Sequence, residues 1–120
     1  MRLIKDDDSG NAEVSYIEIE TGESGRTRAF LGELFQWEFH PMGSGGNGWF
    51  ETSTMKAGLH GGDPNPGILV FFSVDDLEAA AARVRELGGE ADEPSAEEPG
   101  FGRFCMCRDP QGVRFGLHRR

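Results

Sequence analysis

Residues 68–89 read Ile-Leu-Val-Phe-Phe-Ser-Val-Asp-Asp-Leu-Glu-Ala-Ala-Ala-Ala-Arg-Val-Arg-Glu-Leu-Gly-Gly, a strand signal that runs straight into a helix signal. Residues 68–74 are almost continuously apolar, the pattern of a strand covered on both faces. Asp75 is placed to cap a helix, with Glu78 three positions on. Leu77, Ala80, Ala81, Val84 and Leu87 form an apolar stripe at helical spacing, and Gly88 supplies a stop. Downstream, an acidic connection with Pro94 and Pro99 leads to residues 102–108 and then 113–118. The turn sequence Asp109-Pro110-Gln111-Gly112 separates these two segments and predicts a hairpin.

Upstream, residues 14–20 alternate, with Ile17 and Ile19 on one face and Val14, Tyr16, Glu18 and Glu20 on the other, which predicts a strand. Residues 26–35 carry Ala29, Phe30, Leu31 and Leu34 at helical spacing despite Gly32. Short strands are expected over 36–40, 49–54 and 55–60. His40, just before Pro41, reads as a loop residue. The run Gly43 to Gly48 lacks the Lys-Ser/Thr and helix of a phosphate loop and reads as a flexible loop able to close over a ligand. The resulting order is strand, helix, three strands, given twice, and Gly58-Leu59-His60 recurs at the end of the second half as Gly116-Leu117-His118. The expected fold is α+β: two βαβββ modules with mixed sheets around a shared cleft. An acidic tail over 1–12 precedes a single domain over 13–120, with module one at about 13–62 and module two at about 67–120.

The chain has 120 residues, and 12 Lys+Arg against 21 Asp+Glu give a net charge of −9. No basic footprint exists for nucleic acid or an anionic membrane, and a cationic ligand is favoured. No apolar run approaches the roughly 20 residues of a membrane helix. The amino terminus runs into Asp6-Asp7-Asp8 without an apolar stretch, so a cytoplasmic location is expected. Asp6 to Asp8 and the acidic stretch 90–98 read as solvated. Cys105 and Cys107 share one face of a strand at a spacing unsuited to a redox pair or zinc half-site, and are expected as packed, reduced thiols.

Strand parity sets the ligand-facing residues apart from those beneath the helices. Tyr16, Glu18, Lys56, His60, Phe71, Ser73, Arg114 and His118 are expected to line the cleft. Trp49 and Phe50, adjacent on one strand, must face opposite ways, and Trp49 is the ring expected on the ligand side. Ile17, Ile19, Val70, Phe72, Val74, Phe115 and Leu117 then pack beneath the helices. Glu18 on a largely apolar face needs a partner, with Lys56 or Arg114 in reach; unpaired, it is a candidate general base.

Several stretches together carry a family likeness: Ser15-Tyr16-Ile17-Glu18-Ile19, Ala29-Phe30 through Phe35-Gln36-Trp37, Val74-Asp75-Asp76-Leu77, Leu87-Gly88-Gly89, Gly102-Arg103-Phe104, and Asp109-Pro110-Gln111-Gly112 with Phe115-Gly116-Leu117. With them the chain resembles the vicinal oxygen chelate superfamily, the glyoxalase, bleomycin-resistance and extradiol-dioxygenase group. Leu31 stands where that family often has Tyr, and Gln36 where it usually has Gly. The resemblance implies four metal-ligand positions, occupied here by Val14, Gly58, Leu69 and Gly116, none of which offers an imidazole, carboxylate or thiolate. It therefore implies a metal-independent small-molecule binding or sequestering protein like the bleomycin-resistance branch, with no cofactor and a small organic ligand, cationic or aromatic. The alternative is a lyase, isomerase or oxygenase that uses Glu18 as base or a divalent metal at a displaced site. His60 and His118, each two residues past the glycine of its half, would join Glu18 as ligands there. Otherwise both histidines are expected as solvated or hydrogen-bonding groups at the cleft mouth. A homodimer is expected.

Overall fold

The computed structural model describes residues 12–43 and 45–120, so the run Asp6-Asp7-Asp8 expected as a tail lies outside the described residues. The elements are β1 (Val14–Glu20), α1 (Ser24–Phe35), β2 (Glu38–Pro41), β3 (Gly48–Glu51), β4 (Lys56–His60), β5 (Gly67–Ser73), α2 (Leu77–Glu86), β6 (Glu90–Ala91), β7 (Arg103–Arg108) and β8 (Arg114–Arg119). The fold is α+β, and the order βαβββ occurs twice. In the first module β1 pairs parallel with β4, and β4 continues antiparallel through β3 to β2. In the second, β5 pairs parallel with β8, and β8 continues antiparallel through β7 to β6. One pairing scheme thus serves both halves.

The described chain divides into two compact units, Tyr16–Val70 and Phe71–Arg120, the latter taking in the chain up to Ser15. The core of the first unit is Ile19, Phe50, Ala57 and Leu59, packed by Ile17, Leu31, Trp37 and Phe39. Phe50 is wholly buried, and a ring removed from water in this way stabilises the fold by about 1.5–3 kcal/mol. The core of the second is Leu77, Ala81, Cys105, Cys107 and Leu117, packed by Val74, Ala80, Val84, Ala91 and Phe115.

Local chemistry moves several expected boundaries. Asp76, not Asp75, caps α2: its carboxylate accepts the Ala79 N–H at 2.9 Å. Glu78 therefore sits one position too early to reach back to the cap, and instead pairs with Arg103 at 2.6 Å. Leu87 does not extend the apolar stripe; it is the residue after the last helical turn and is 62% exposed. Gly88, at φ +95°, makes the left-handed exit. On α1 only Leu31 of the expected stripe packs inward. Phe30, about 100° away around the helix, is 65% exposed. Gln36 takes the left-handed C-cap position at φ 59°, with its N–H on the Gly32 carbonyl, so β2 starts at Glu38 rather than 36 and takes in His40, expected in a loop. Thr52 breaks the run expected as strand to residue 54: its hydroxyl donates to the Met55 carbonyl at 2.6 Å and accepts N–H groups from Thr54 and Met55.

Candidate functional site

On the first unit, the sheet face opposite its core is built by register. Glu18 lies beside Gly58, Glu20 beside His60 and Tyr16 beside Lys56, while Trp49 lies across from Gly58 on β4 and from His40 on β2. Because side chains alternate along each strand, Tyr16, Glu18, Glu20, Lys56, His60, Trp49 and His40 all emerge on this face.

A chain of hydrogen bonds runs through its centre. The Tyr16 hydroxyl donates to Glu18 Oε1 at 2.7 Å, and His60 Nδ1 donates to Glu18 Oε2 at 2.7 Å. Glu18 thus finds Tyr16 and His60 as partners rather than Lys56, whose ammonium sits 4.4 Å above the Trp49 ring. Burial, and after it the Glu18 carboxylate, push the Tyr16 phenol far up from its ordinary value. The bond that His60 donates to Glu18 raises the His60 pKa against an opposing contribution from burial. Further out, His60 Nε2 lies 3.6 Å from Asp63 Oδ2. Glu20, His60 and Asp63 each bring a donor atom within 4.8 Å of the others, the one such group among the described residues.

Beside this chain is an aromatic wall. His40 stacks on Trp49 with ring centroids 4.1 Å apart and planes 17° from parallel. His40 Nε2 is buried without a hydrogen bond, 3.9 Å from Glu38 Oε1 and 3.8 Å from Glu51 Oε1.

Gly58 decides whether the face can hold the metal that the resemblance implies. A Cβ there would run into the Tyr16 hydroxyl and Glu18 Oε1, so the room a ligating side chain needs is already filled. At Gly116 of the second unit a Cβ would run into the Phe71 ring. Val14 and Leu69, the other two positions, are aliphatic. The four family positions do not fit a divalent ion.

The expected site residues on the second unit are arranged differently. His118, 3% exposed, is an interior group rather than a solvated one near the carboxyl end. Its Nε2 lies 2.7 Å from the Phe101 carbonyl and its Nδ1 2.8 Å from Ser15 Oγ. A carbonyl only accepts, so Nε2 carries the proton and Nδ1 accepts the Ser15 hydroxyl. Both nitrogens are engaged, and burial lowers the His118 pKa from its ordinary value. The imidazole also stacks on Phe101 at 4.2 Å, and Phe101 meets Phe71 and Phe104 edge-on. Phe71 is buried in this cluster, Ser73 is half-buried with its N–H on the Glu13 carbonyl, and Arg114 is exposed on β8.

Several residues of these networks were not expected from sequence, among them Ser15, Glu20, His40, Asp63, Phe101 and Phe104. Glu20 shares strand parity with Glu18, and that signal was available. Asp63 and Phe101 belong to Gly-rich connections whose course no periodicity describes.

A family model described as "Glyoxalase/Bleomycin resistance protein/Dioxygenase superfamily" matches residues 14–117. Among curated proteins, the "Putative glyoxylase CFP32" of Mycobacterium tuberculosis is 40% identical over 58 residues, a match covering 45% of this chain and only 22% of that protein. Among solved structures, methylmalonyl-CoA epimerase from M. tuberculosis superposes with a TM-score of 0.67 at 15% identity, covering 88% of this chain and 86% of that one. Homoprotocatechuate 2,3-dioxygenase from Arthrobacter globiformis superposes at 0.73 and 17% identity, covering 89% of this chain and 35% of that one. At such identities these likenesses establish the fold alone.

Proposed function

The chain belongs to the glyoxalase/bleomycin resistance protein/dioxygenase superfamily, and from that premise we propose that it binds a small organic ligand directly, with no cation at the four positions the family uses. The observation that carries this reading is the filled space at Gly58 and Gly116: phenol and carboxylate occupy one, an aromatic ring the other. A ligand on the first unit would meet the Trp49–His40 stack on one side and the Glu18–His60–Asp63 row on the other. The carboxylates on this face and the chain's net charge of −9 favour a ligand bearing positive charge, which would take the place that the Lys56 ammonium holds 4.4 Å above the Trp49 ring.

Calorimetric titration with a panel of cationic aromatic compounds, in the presence of a chelator, tests this. Saturable binding that is weakened by Trp49→Leu and by Glu18→Gln is expected. Absence of binding across the panel, or binding that requires added metal, overturns it.

One observation favours a second reading, an acid–base enzyme. Glu18 fixes His60 through Nδ1 at 2.7 Å, the orientation a carboxylate gives a catalytic imidazole, which leaves Nε2 to exchange a proton with a bound carbonyl compound. Deuterium uptake from D2O next to a substrate carbonyl, abolished by His60→Gln, would establish it.

A further inference from the structure

We infer that Glu20, His60 and Asp63 form a binding site for a first-row divalent cation, displaced from the family's positions and built from the end of β1, the end of β4 and the connection that follows it. This goes beyond ligand binding at the aromatic wall and does not depend on it.

The donor set is one imidazole nitrogen and two carboxylates, which suits zinc, cobalt or nickel. Its donor atoms lie within 4.8 Å of one another. The 3.6 Å between His60 Nε2 and Asp63 Oδ2 is too long for a good hydrogen bond. It is close to the separation of two donors that each sit about 2.0–2.2 Å from a shared ion at a wide angle.

A group outside the donor set points the same way. Glu18 holds Nδ1 of His60 at 2.7 Å and is itself held by Tyr16. A carboxylate on the far nitrogen is the usual support of a metal-bound histidine, because it fixes the ring and presents Nε2 as the lone-pair donor. Glu20 is 7% exposed, and His60 and Asp63 are half-buried; three protein donors would leave coordination positions open for water or an exogenous ligand.

The backbone keeps the donors in place without an ion. Thr21 N–H bonds the His60 carbonyl at 3.1 Å, Gly62 N–H the Gly22 carbonyl at 2.9 Å, and Asp63 N–H the Thr21 carbonyl at 3.0 Å. These bonds tie the segment that follows Glu20 to the segment that carries His60 and Asp63. The site is therefore assembled on a hydrogen-bonded frame rather than on a free loop.

The test is titration of chelator-treated, tag-free full-length protein with Zn2+ by calorimetry and with Co2+ by visible absorption, with no organic ligand present. Expected is one ion per chain. Asp63→Asn keeps the Oδ1 acceptor that serves Asn65 N–H, and so keeps the turn while weakening the ligand. It and His60→Ala should each reduce affinity at least tenfold. Glu18→Gln should lower affinity by about 10- to 100-fold at unchanged stoichiometry, the size of effect a supporting carboxylate has. Should His60→Ala fail to fold, Asp63→Asn alone decides. No saturable uptake of either ion overturns the inference, as does uptake indifferent to Asp63→Asn or uptake lost with His40→Ala instead. None of these outcomes bears on the chelator-containing titration with organic cations, so the two readings fail separately.

Discussion

Phe101 holds His118 in two ways at once: its carbonyl accepts the Nε2 proton at 2.7 Å and its ring stacks on the imidazole with centroids 4.2 Å apart. The ring is thereby fixed as one neutral tautomer, with Ser15 closing the other nitrogen at 2.8 Å.

His118→Leu should destabilise the fold by roughly 2–4 kcal/mol, because it strands a hydroxyl and a carbonyl that were bonded to a buried ring. The sign of the pH effect follows from the lowered pKa. Between the folded value and the ordinary value near 6.5, the unfolded chain binds the proton and the folded chain does not. Stability from this group is complete above about 6.5 and falls as pH drops below it. Urea unfolding at neutral and mildly acidic pH should show a larger acid loss in the wild type than in His118→Leu.

Tyr16 is the chain's single tyrosine, so its titration can be followed by ultraviolet absorption without overlap from other phenols. Burial and Glu18 hold it protonated, and the phenolate band should appear only with alkaline unfolding. In Gly58→Ala the new methyl group would contact both Tyr16 and Glu18 and break their hydrogen bond. The phenol should then titrate closer to its ordinary value of about 10. An unchanged titration curve would mean that the contact is absorbed elsewhere.

Gly116→Ala should cost roughly 1–3 kcal/mol by forcing the Phe71 ring aside. Phe71→Leu in the same chain should recover part of that loss. Chemical denaturation of the two single variants and the double variant gives the coupling directly; strict additivity would show that the ring and the glycine do not share the space.

Cys105 and Cys107 lie with their sulfurs 3.8 Å apart, and burial pushes Cys107 up to about 12. Thiolate is the reactive form, so at about pH 8 neither thiol should react with an aromatic disulfide reagent in the native protein, and both should react after denaturation.

Gln36 is the one described non-glycine residue with positive φ. Gln36→Gly removes that strain but also removes the side-chain bond to the Glu33 carbonyl at 2.8 Å. The net effect should be a stabilisation of a few tenths to about 1 kcal/mol, seen as a higher thermal midpoint.

Periodicity was sufficient at some positions and failed at others, since on α1 only Leu31 of the expected stripe packs inward and Leu87 after α2 is exposed. Ile19, Leu77, Ala81 and Leu117 reach the interior as their spacing requires, and the element order apart from β6 follows from the punctuation between the apolar runs. What parity leaves open is which neighbour a polar group chooses. It places Glu18, Lys56 and His60 on one face, and the parallel register of β1 with β4 sets Lys56 and His60 equally one same-face step from Glu18; the imidazole becomes the partner, at 2.7 Å, while the ammonium lies over the Trp49 ring. His118 shows the same gap from the other side. Its parity is plain, yet its burial depends on Phe101, delivered by a Pro-Gly-Phe-Gly segment whose path only tertiary structure reveals. The two-residue β6 is too short to leave any alternation, and its place is set by Arg85, whose guanidinium bonds the Ala91 carbonyl at 2.9 Å.

The occupied space beside Gly58 also bears on how such a chain could change over time. A histidine or glutamate introduced there meets Tyr16 and Glu18 before it meets any ion, so a single substitution is penalised without a compensating gain. Recovery of metal chemistry at that position requires the tyrosine or the carboxylate to withdraw first, at the expense of the hydrogen bond they share. That position is therefore epistatically closed, and laboratory evolution started from this sequence should pass through changes at Tyr16 or Glu18 before any ligand becomes fixed at Gly58.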